Sequence, residues 1–229
     1  VVLIDMDMGQ GNLDLYLGLH NKVVYNVYDA AMGMCRMRQA LIKDSRYDCL
    51  YLMAAPPHTN DGNVTPERLM AMYEDLKEKF DYIIIDNSPF KSYLTSCAMC
   101  ASDKIITPIC VDNFSYDGLM SLFDTIEELN DKYALSIEFA GIFMTRVAGR
   151  TTLFRQMYES YENMFGDRFL PISIRNCIAV NESNTTFEPL LSYDKKCPAS
   201  LDYVELVNYL GLMDTAHYRK LAKYLKGEK

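Results

Sequence analysis

The chain has 229 residues, 49% of them hydrophobic, with 31 acidic against 23 basic side chains and a net charge of −8 at pH 7. That length and composition fit one globular domain with a full core, and the acidic balance excludes a chain that coats nucleic acid over its whole surface while leaving room for a local basic patch. No run of about 18 apolar residues occurs, so no segment reads as a membrane-spanning helix, and Val1–Ile4 gives way at once to Asp5 and Asp7 where a secretory leader needs a basic start and a longer apolar run.

Short apolar runs alternate with stretches of helical periodicity. Val1–Ile4 reads as a strand ending in aspartate, and Cys49–Met53 as a second strand. Ala54–Val64, with Pro56, Pro57, Asn60 and Gly62, reads as a loop. Thr65 can cap a helix whose first residue is Pro66, with Leu69, Tyr73, Leu76 and Phe80 on its apolar face. Tyr82–Ile85 and Lys104–Val111 are the third and fourth strands, and Leu119, Leu122, Phe123, Ile126 and Leu129 mark the next helix. Ile137–Met144 is a fifth strand, followed by a helix marked by Leu153, Met157, Tyr161 and Met164. Phe169–Ile174 is a sixth strand, and Leu201, Val204, Val207 and Leu210 mark another helix. Apolar runs that do not alternate fit strands buried on both faces of a parallel sheet. The expected class is α/β: a doubly wound, mostly parallel sheet with helices on both faces, in a single domain over residues 1–229 with a basic tail over 213–229.

The seven cysteines are odd in number and show no disulfide framework, so free thiols in a reducing cytosol are expected. Cys97 and Cys100 form a C-x-x-C without a second ligand pair or a thioredoxin-like context, and are expected to pack a helix. His20, His58 and His217 lie far apart and form no zinc-binding pair.

Acidic residues at strand ends carry the chemistry. Asp5 and Asp7 close the first strand and Asp86 the third. Ligands of open α/β sheets bind at the carboxyl ends of the strands. An apolar run ending in aspartate is the form of the acidic strand of P-loop NTPases, where the carboxylate helps hold Mg2+ through water. The bland alternative, an aspartate that caps the next helix, stands at each position; three such carboxylates in one chain favour the functional one.

An ordered series of segments resembles the ParA/MinD family of ATPases over nearly the whole chain. Val1-Val2-Leu3-Ile4-Asp5-Met6-Asp7, then Gly11-Asn12-Leu13-Asp14 and Leu17-Gly18-Leu19, are similar to the family's second strand and following helix. Asp81–Asp86 with Pro89 resembles its acidic strand, and Ala140–Thr145 with Gly149-Arg150-Thr151 its late strand and turn. Phe165-Gly166-Asp167, Ile174-Arg175-Asn176, Glu182, Pro189 and Tyr193-Asp194 continue the likeness in order, and the second half leans towards the ParA/Soj partition branch. The family's P-loop, K-G-G-x-G-K-S/T-T, lies just before the region that matches Val1, and nothing in these residues matches it. The resemblance thus implies a P-loop NTPase-like fold lacking its first βα unit, and a chain that alone binds ATP poorly.

The resemblance also implies roles. Asp7 would orient the attacking water, Asp5 would sit near the nucleotide and the Mg2+ shell, and Asp86 would hold Mg2+ through water. Asn176 would read the adenine edge with its amide, although Ile174 stands where the family usually has proline. Arg150, Arg175, Lys195 and Lys196 are the DNA-binding candidates, although Ile178 or Ala179 stands where a further arginine is common. The implied protein is an ATP hydrolase for plasmid or chromosome partitioning, using ATP and Mg2+. It would form a homodimer around sandwiched ATP, bind DNA without sequence preference, and answer to a ParB-like stimulating protein. It would be cytoplasmic, and on the nucleoid when ATP-bound. A MinD-like ATPase that uses the basic tail on a membrane surface for division-site placement is the alternative, and a non-hydrolysing scaffold a third. A basic end to a last helix is favoured by the helix dipole in any case.

Overall fold

The computed structural model describes residues 1–57, 64–88, 92–111, 114–149 and 151–227. It contains two compact units, Val1–Asp103 with Asp124–Ile137, and Lys104–Phe123 with Glu138–Lys229.

The first unit runs β1 (Val2–Asp5), α1 (Leu13–Tyr16), α2 (Val27–Ala31), α3 (Met37–Ala40), β2 (Ile42–Lys43), β3 (Tyr51–Met53), α4 (Pro66–Lys77), β4 (Ile83–Asp86) and α5 (Tyr93–Cys100). Its sheet has the order β2-β3-β1-β4, with β1 parallel to both neighbours. An internal parallel strand must bury both faces, and β1 does. Val2 and Ile4 join a core with Val27, Leu69, Leu76 and Leu94. Leu3 packs against a second cluster of Leu17, Leu19, Ile42 and Leu52. The alternation of consecutive side chains between two apolar clusters explains why the run has no polar residue until Asp5. β2 escaped the sequence reading because it is two residues long, and it pairs antiparallel with β3. The short helices α1 to α3 escaped for the same reason: four or five residues carry no readable period.

The helix after Thr65 forms as expected. The Thr65 hydroxyl accepts the Arg68 amide, Pro66 opens α4, and Leu69, Tyr73 and Leu76 are buried. Phe80 lies past the helix end, its ring edge-on to Tyr51. α5 starts at a Ser92 cap and buries Leu94, Cys97 and Ala98. Cys97 and Cys100 therefore serve this helix's packing, and burial pushes the Cys97 thiol up to about 11.

The second unit contains β5 (Lys104–Ile109), part of α6 (Phe114–Tyr133), β6 (Glu138–Val147), α7 (Thr152–Phe165), β7 (Phe169–Arg175), α8 (Ile178–Thr186), α9 (Leu190–Tyr193), α10 (Pro198–Tyr209) and α11 (Thr215–Lys226). Its three strands are parallel in the order β5-β6-β7. Ile142 and Met144 face one cluster with Leu119, Tyr161 and Phe169, while Phe143 faces another with Leu170, Ile174, Ala199 and Leu206. Helices thus cover both faces of the sheet. The β5–β6 register shifts after Ile105, and Gly141 on β6 has φ +147° with its Cα against Leu170, where a Cβ would lie 2.5 Å from Leu170 Cδ2.

The expected stripe on α7 needs correction. Leu153 and Met164 are 56% and 52% exposed. The buried face is Phe154, Met157, Tyr158, Tyr161 and Phe165, held by edge-on rings between Phe154 and Tyr158 and between Tyr158 and Phe169. The aromatic residues, which bury more area, decide which way the helix turns. The C-terminal tail forms α11, capped by Asp214. Ala222 and Leu225 are buried where α11 packs on α10, and Lys226 pairs with Glu205 at 3.8 Å. Among the described residues no helix is long and apolar enough to cross a membrane.

Candidate active site

Parallel pairing of β1 with β4 puts Asp5 opposite Asp86 in register, at the carboxyl ends of both strands. The Met6 amide donates to Asp86 O at 2.8 Å, so the chain leaving β1 is still tied to β4 where Asp7 follows. Asp86, remote in sequence from Asp5 and Asp7, thereby shares one end of one sheet with them. The three differ in surroundings: Asp5 is 1% exposed, Asp7 is half-buried and Asp86 exposed.

Two of the three, Asp5 and Asp86, feel burial and the charge of their neighbours. Burial raises the pKa of Asp5 above its ordinary 3.8, against backbone donors that lower it and with the nearby charge of Asp7 adding to the rise. The Asp86 carboxyl is raised as well, by desolvation first and then by the charges of Asp5 and Asp7. Carboxylates placed together without a cation resist ionisation in this way, and perturbed acids at strand ends mark functional sites. Asn87, which the sequence reading passed over, follows directly: its Nδ2 donates to Ile85 O at 3.2 Å, and its Oδ1 is buried with no hydrogen-bond partner. Its place next to Asp86 was the only sequence signal.

Asp5 looks inward. Its Oδ1 accepts the Asp7 amide and its Oδ2 the Leu13 amide, each at 3.1 Å. The loop between them is further tied by Gly9 N–H to Pro56 O at 3.2 Å and Gln10 N–H to Asp7 O at 3.1 Å. Gly11 has no room for a side chain: a Cβ there would lie 2.4 Å from Ala55 Cβ and 2.8 Å from Asp5 Oδ2.

The other candidates belong to the second unit. Asn176 follows β7, is exposed, and donates its backbone N–H to Val147 O at 2.9 Å. Ile174, where the resemblance anticipated proline, is a core residue of β7. Arg175 is committed elsewhere: its guanidinium clasps the buried carboxylate of Asp202, with Nη2 at 2.6 Å from Oδ1, and also reaches Pro198 O. Lys195 and Lys196 are exposed on the turn before α10. Arg150 lies outside the described residues, as does Pro89. Among the described residues no group of three or more His, Cys, Asp or Glu could hold a metal ion by itself.

Comparison with known proteins agrees with the parallel α/β fold described above. Residues 1–139 match the AAA_31 family model, described as an AAA domain. The septum site-determining protein MinD of Bacillus subtilis (strain 168) is 46% identical over 87 residues, a stretch covering 38% of this chain and 32% of that protein. The chromosome-partitioning ATPase Soj of Treponema pallidum (strain Nichols) is 25% identical over 222 residues, covering 93% of this chain and 85% of that protein. Among solved structures, the septum site-determining protein MinD from Pyrococcus horikoshii OT3, complexed with Mg-ADP, superposes with a TM-score of 0.72 at 18% identity, over 93% of this chain and 86% of that one. The chain belongs to this AAA-domain family, in the ParA/MinD group that the MinD and Soj relatives represent. The match to the Bacillus protein spans about a third of that relative's length.

Proposed function

We propose that the chain is the body of an ATP hydrolase of the ParA/Soj type, which uses ATP and Mg2+ and acts in partitioning a plasmid or chromosome. The observation that carries the reading is the meeting of Asp5, Asp7 and Asp86 at one end of a parallel sheet, with the Asp5 and Asp86 carboxyls raised first by burial and then by neighbouring acidic charge. A divalent cation relieves that repulsion. Mg2+ takes one or two carboxylates beside phosphate oxygens and keeps several waters, and Asp86, exposed at its strand end, suits such a contact through water. Asp7, on the loop leaving β1, would orient a water; phosphoryl transfer depends on such positioning and on charge. Asn176 would read the adenine edge, since an amide both donates and accepts.

The full-length likeness to Soj supports the partition branch. So does α11, whose apolar residues Ala222 and Leu225 are occupied by packing against α10 and so do not form a free membrane-facing stripe. In this reading ATP-sandwiched homodimers bind DNA without sequence preference, with Lys195, Lys196 and Arg150 as contacts, and a ParB-like protein stimulates hydrolysis. The 46% local identity to MinD supports a second reading, a membrane-associated ATPase of division-site placement.

The test is made on the protein expressed from its complete reading frame. ATP hydrolysis, ATP-dependent binding to a random duplex, and sedimentation with anionic vesicles are measured for wild type and Asp7→Ala. Hydrolysis that falls at least about tenfold in Asp7→Ala, with DNA binding retained, is the expected result. Vesicle binding without DNA binding moves the assignment to the second reading. Absence of both ATP hydrolysis and ATP-dependent duplex or vesicle binding leaves a scaffold.

A further inference from the structure

We propose that Asp5 is a positioning residue: its carboxylate holds the loop that presents Asp7, and the cation is left to Asp86. This rests on the function proposed above and states how that site is built.

The direction of the Asp5 side chain decides it. Both oxygens accept backbone amides of the segment that follows, Asp7 at one end and Leu13 at the other, and the Asn12 amide adds to the pull on its charge. With 1% of its surface exposed, the carboxylate offers no open side to a hydrated ion. Its bond to Leu13 has a second consequence. Leu13 is the first residue of α1, and the Asn12 side chain at the cap position makes no capping bond. The first amides of a helix lack intrahelical partners, so Asp5, eight residues upstream, does what a cap residue does. One ionised group thus closes a loop at both ends, with charge-assisted bonds that are roughly twice as strong as neutral ones.

Gly11 completes the device from the opposite side. The loop closes over the carboxylate only because position 11 has no Cβ, which would fall 2.8 Å from Asp5 Oδ2. Asp86 differs on each count: it is exposed at a strand end, and the one backbone donor that lowers its pKa is Asn87. The two acids, although in register, therefore face different tasks, one inside the loop and one towards ligand.

Amide hydrogen exchange across residues 6–13, without nucleotide, tests the clamp in wild type, Asp5→Asn, Gly11→Ala and Asp86→Asn. Asparagine keeps the size of Asp5 but sets an NH2 group against one of the two donors. Exchange at Asp7 and Leu13 should quicken about tenfold in Asp5→Asn and in Gly11→Ala, and stay at the wild-type rate in Asp86→Asn. Gly11→Ala keeps every charge, so it decides the matter if Asp5→Asn does not fold. ATP hydrolysis then separates positioning from ligation. Asp5→Asn should lower kcat about tenfold while KM for ATP and the Mg2+ concentration for half activity stay within about twofold, whereas Asp86→Asn should raise the Mg2+ requirement. Unchanged exchange in Asp5→Asn and Gly11→Ala, or a Mg2+ requirement raised in Asp5→Asn as it is in Asp86→Asn, overturns the proposal. A protein with no ATP hydrolysis in any form defeats the functional reading alone, because the exchange result still decides the clamp.

Discussion

Asp86 sits in the folded chain beside two other acids, and its carboxyl is harder to ionise there than the ordinary value of 3.8. A folded state that holds a proton more tightly than the unfolded one loses stability as pH rises through the interval above that ordinary value. At neutral pH the full cost is present. Asp86→Asn removes the charge, so without divalent cation the variant should melt higher than wild type at pH 7, by about 2 °C for a chain of this size, and the gap should close as the pH is lowered towards 4. Thermal melts across that range check it; a variant that melts lower at pH 7 would show that Asp86 stabilises the sheet end. Asp44 works with the opposite sign. Its bond to Arg46 lowers its pKa, so it contributes stability above the ordinary value and loses it as pH falls through the lowered one. It is unchanged between the two proteins and drops out of the comparison.

At the scale of the element, the helices show which part of a hydrophobic pattern can be trusted. α4 has one candidate stripe, and the structure buries its members within the helix, Leu69, Tyr73 and Leu76. α7 has two overlapping ones, Leu153-Met157-Tyr161-Met164 and Phe154-Met157-Tyr158-Tyr161-Phe165, and they share Met157 and Tyr161. Period alone does not choose between faces offset by one residue; the ring of Tyr158 against Phe169 of β7, with Phe154 edge-on to Tyr158, does. Leu76→Ala should therefore cost about 3 kcal/mol, whereas Leu153→Ala should stay within about 0.5 kcal/mol of wild type. Urea denaturation of both variants is the measurement. Equal losses would place Leu153 in the core and restore the first stripe.

For the whole molecule, charge limits what DNA binding can be. A chain of net −8 has no general attraction for phosphate. Arg175 has its charge paired with Asp202 and so adds little net attraction to a patch. If Lys195, Lys196 and Arg150 of both protomers are the contacts, the logarithm of affinity should fall against that of salt with a slope of about −5. Lys195→Glu with Lys196→Glu should then abolish binding at physiological salt. A slope several times steeper would mean that the DNA surface lies on other residues.

The run of apolar residues ending in Asp5, the same form at Asp86, and the alternation of strands with helices were legible in the sequence because each depends on neighbours along the chain. From these came the parallel α/β class and the acids of the site. Pairing was not legible. Nothing in the local pattern says that β1 lies between β3 and β4, so that Asp5 and Asp86 meet in register, nor that the antiparallel pair of β2 closes the sheet. The direction of a side chain at the end of a strand was equally beyond reach. Asp5 and Asp86 share a sequence form, yet one bonds to Asp7 and Leu13 and the other opens to solvent. Arg175 and Asp202 are likewise joined only by the packing of α10 on β7. Local propensity is set by bonded neighbours, whereas register, burial and ion pairing are set by residues far along the chain, and these exist only once the chain has folded.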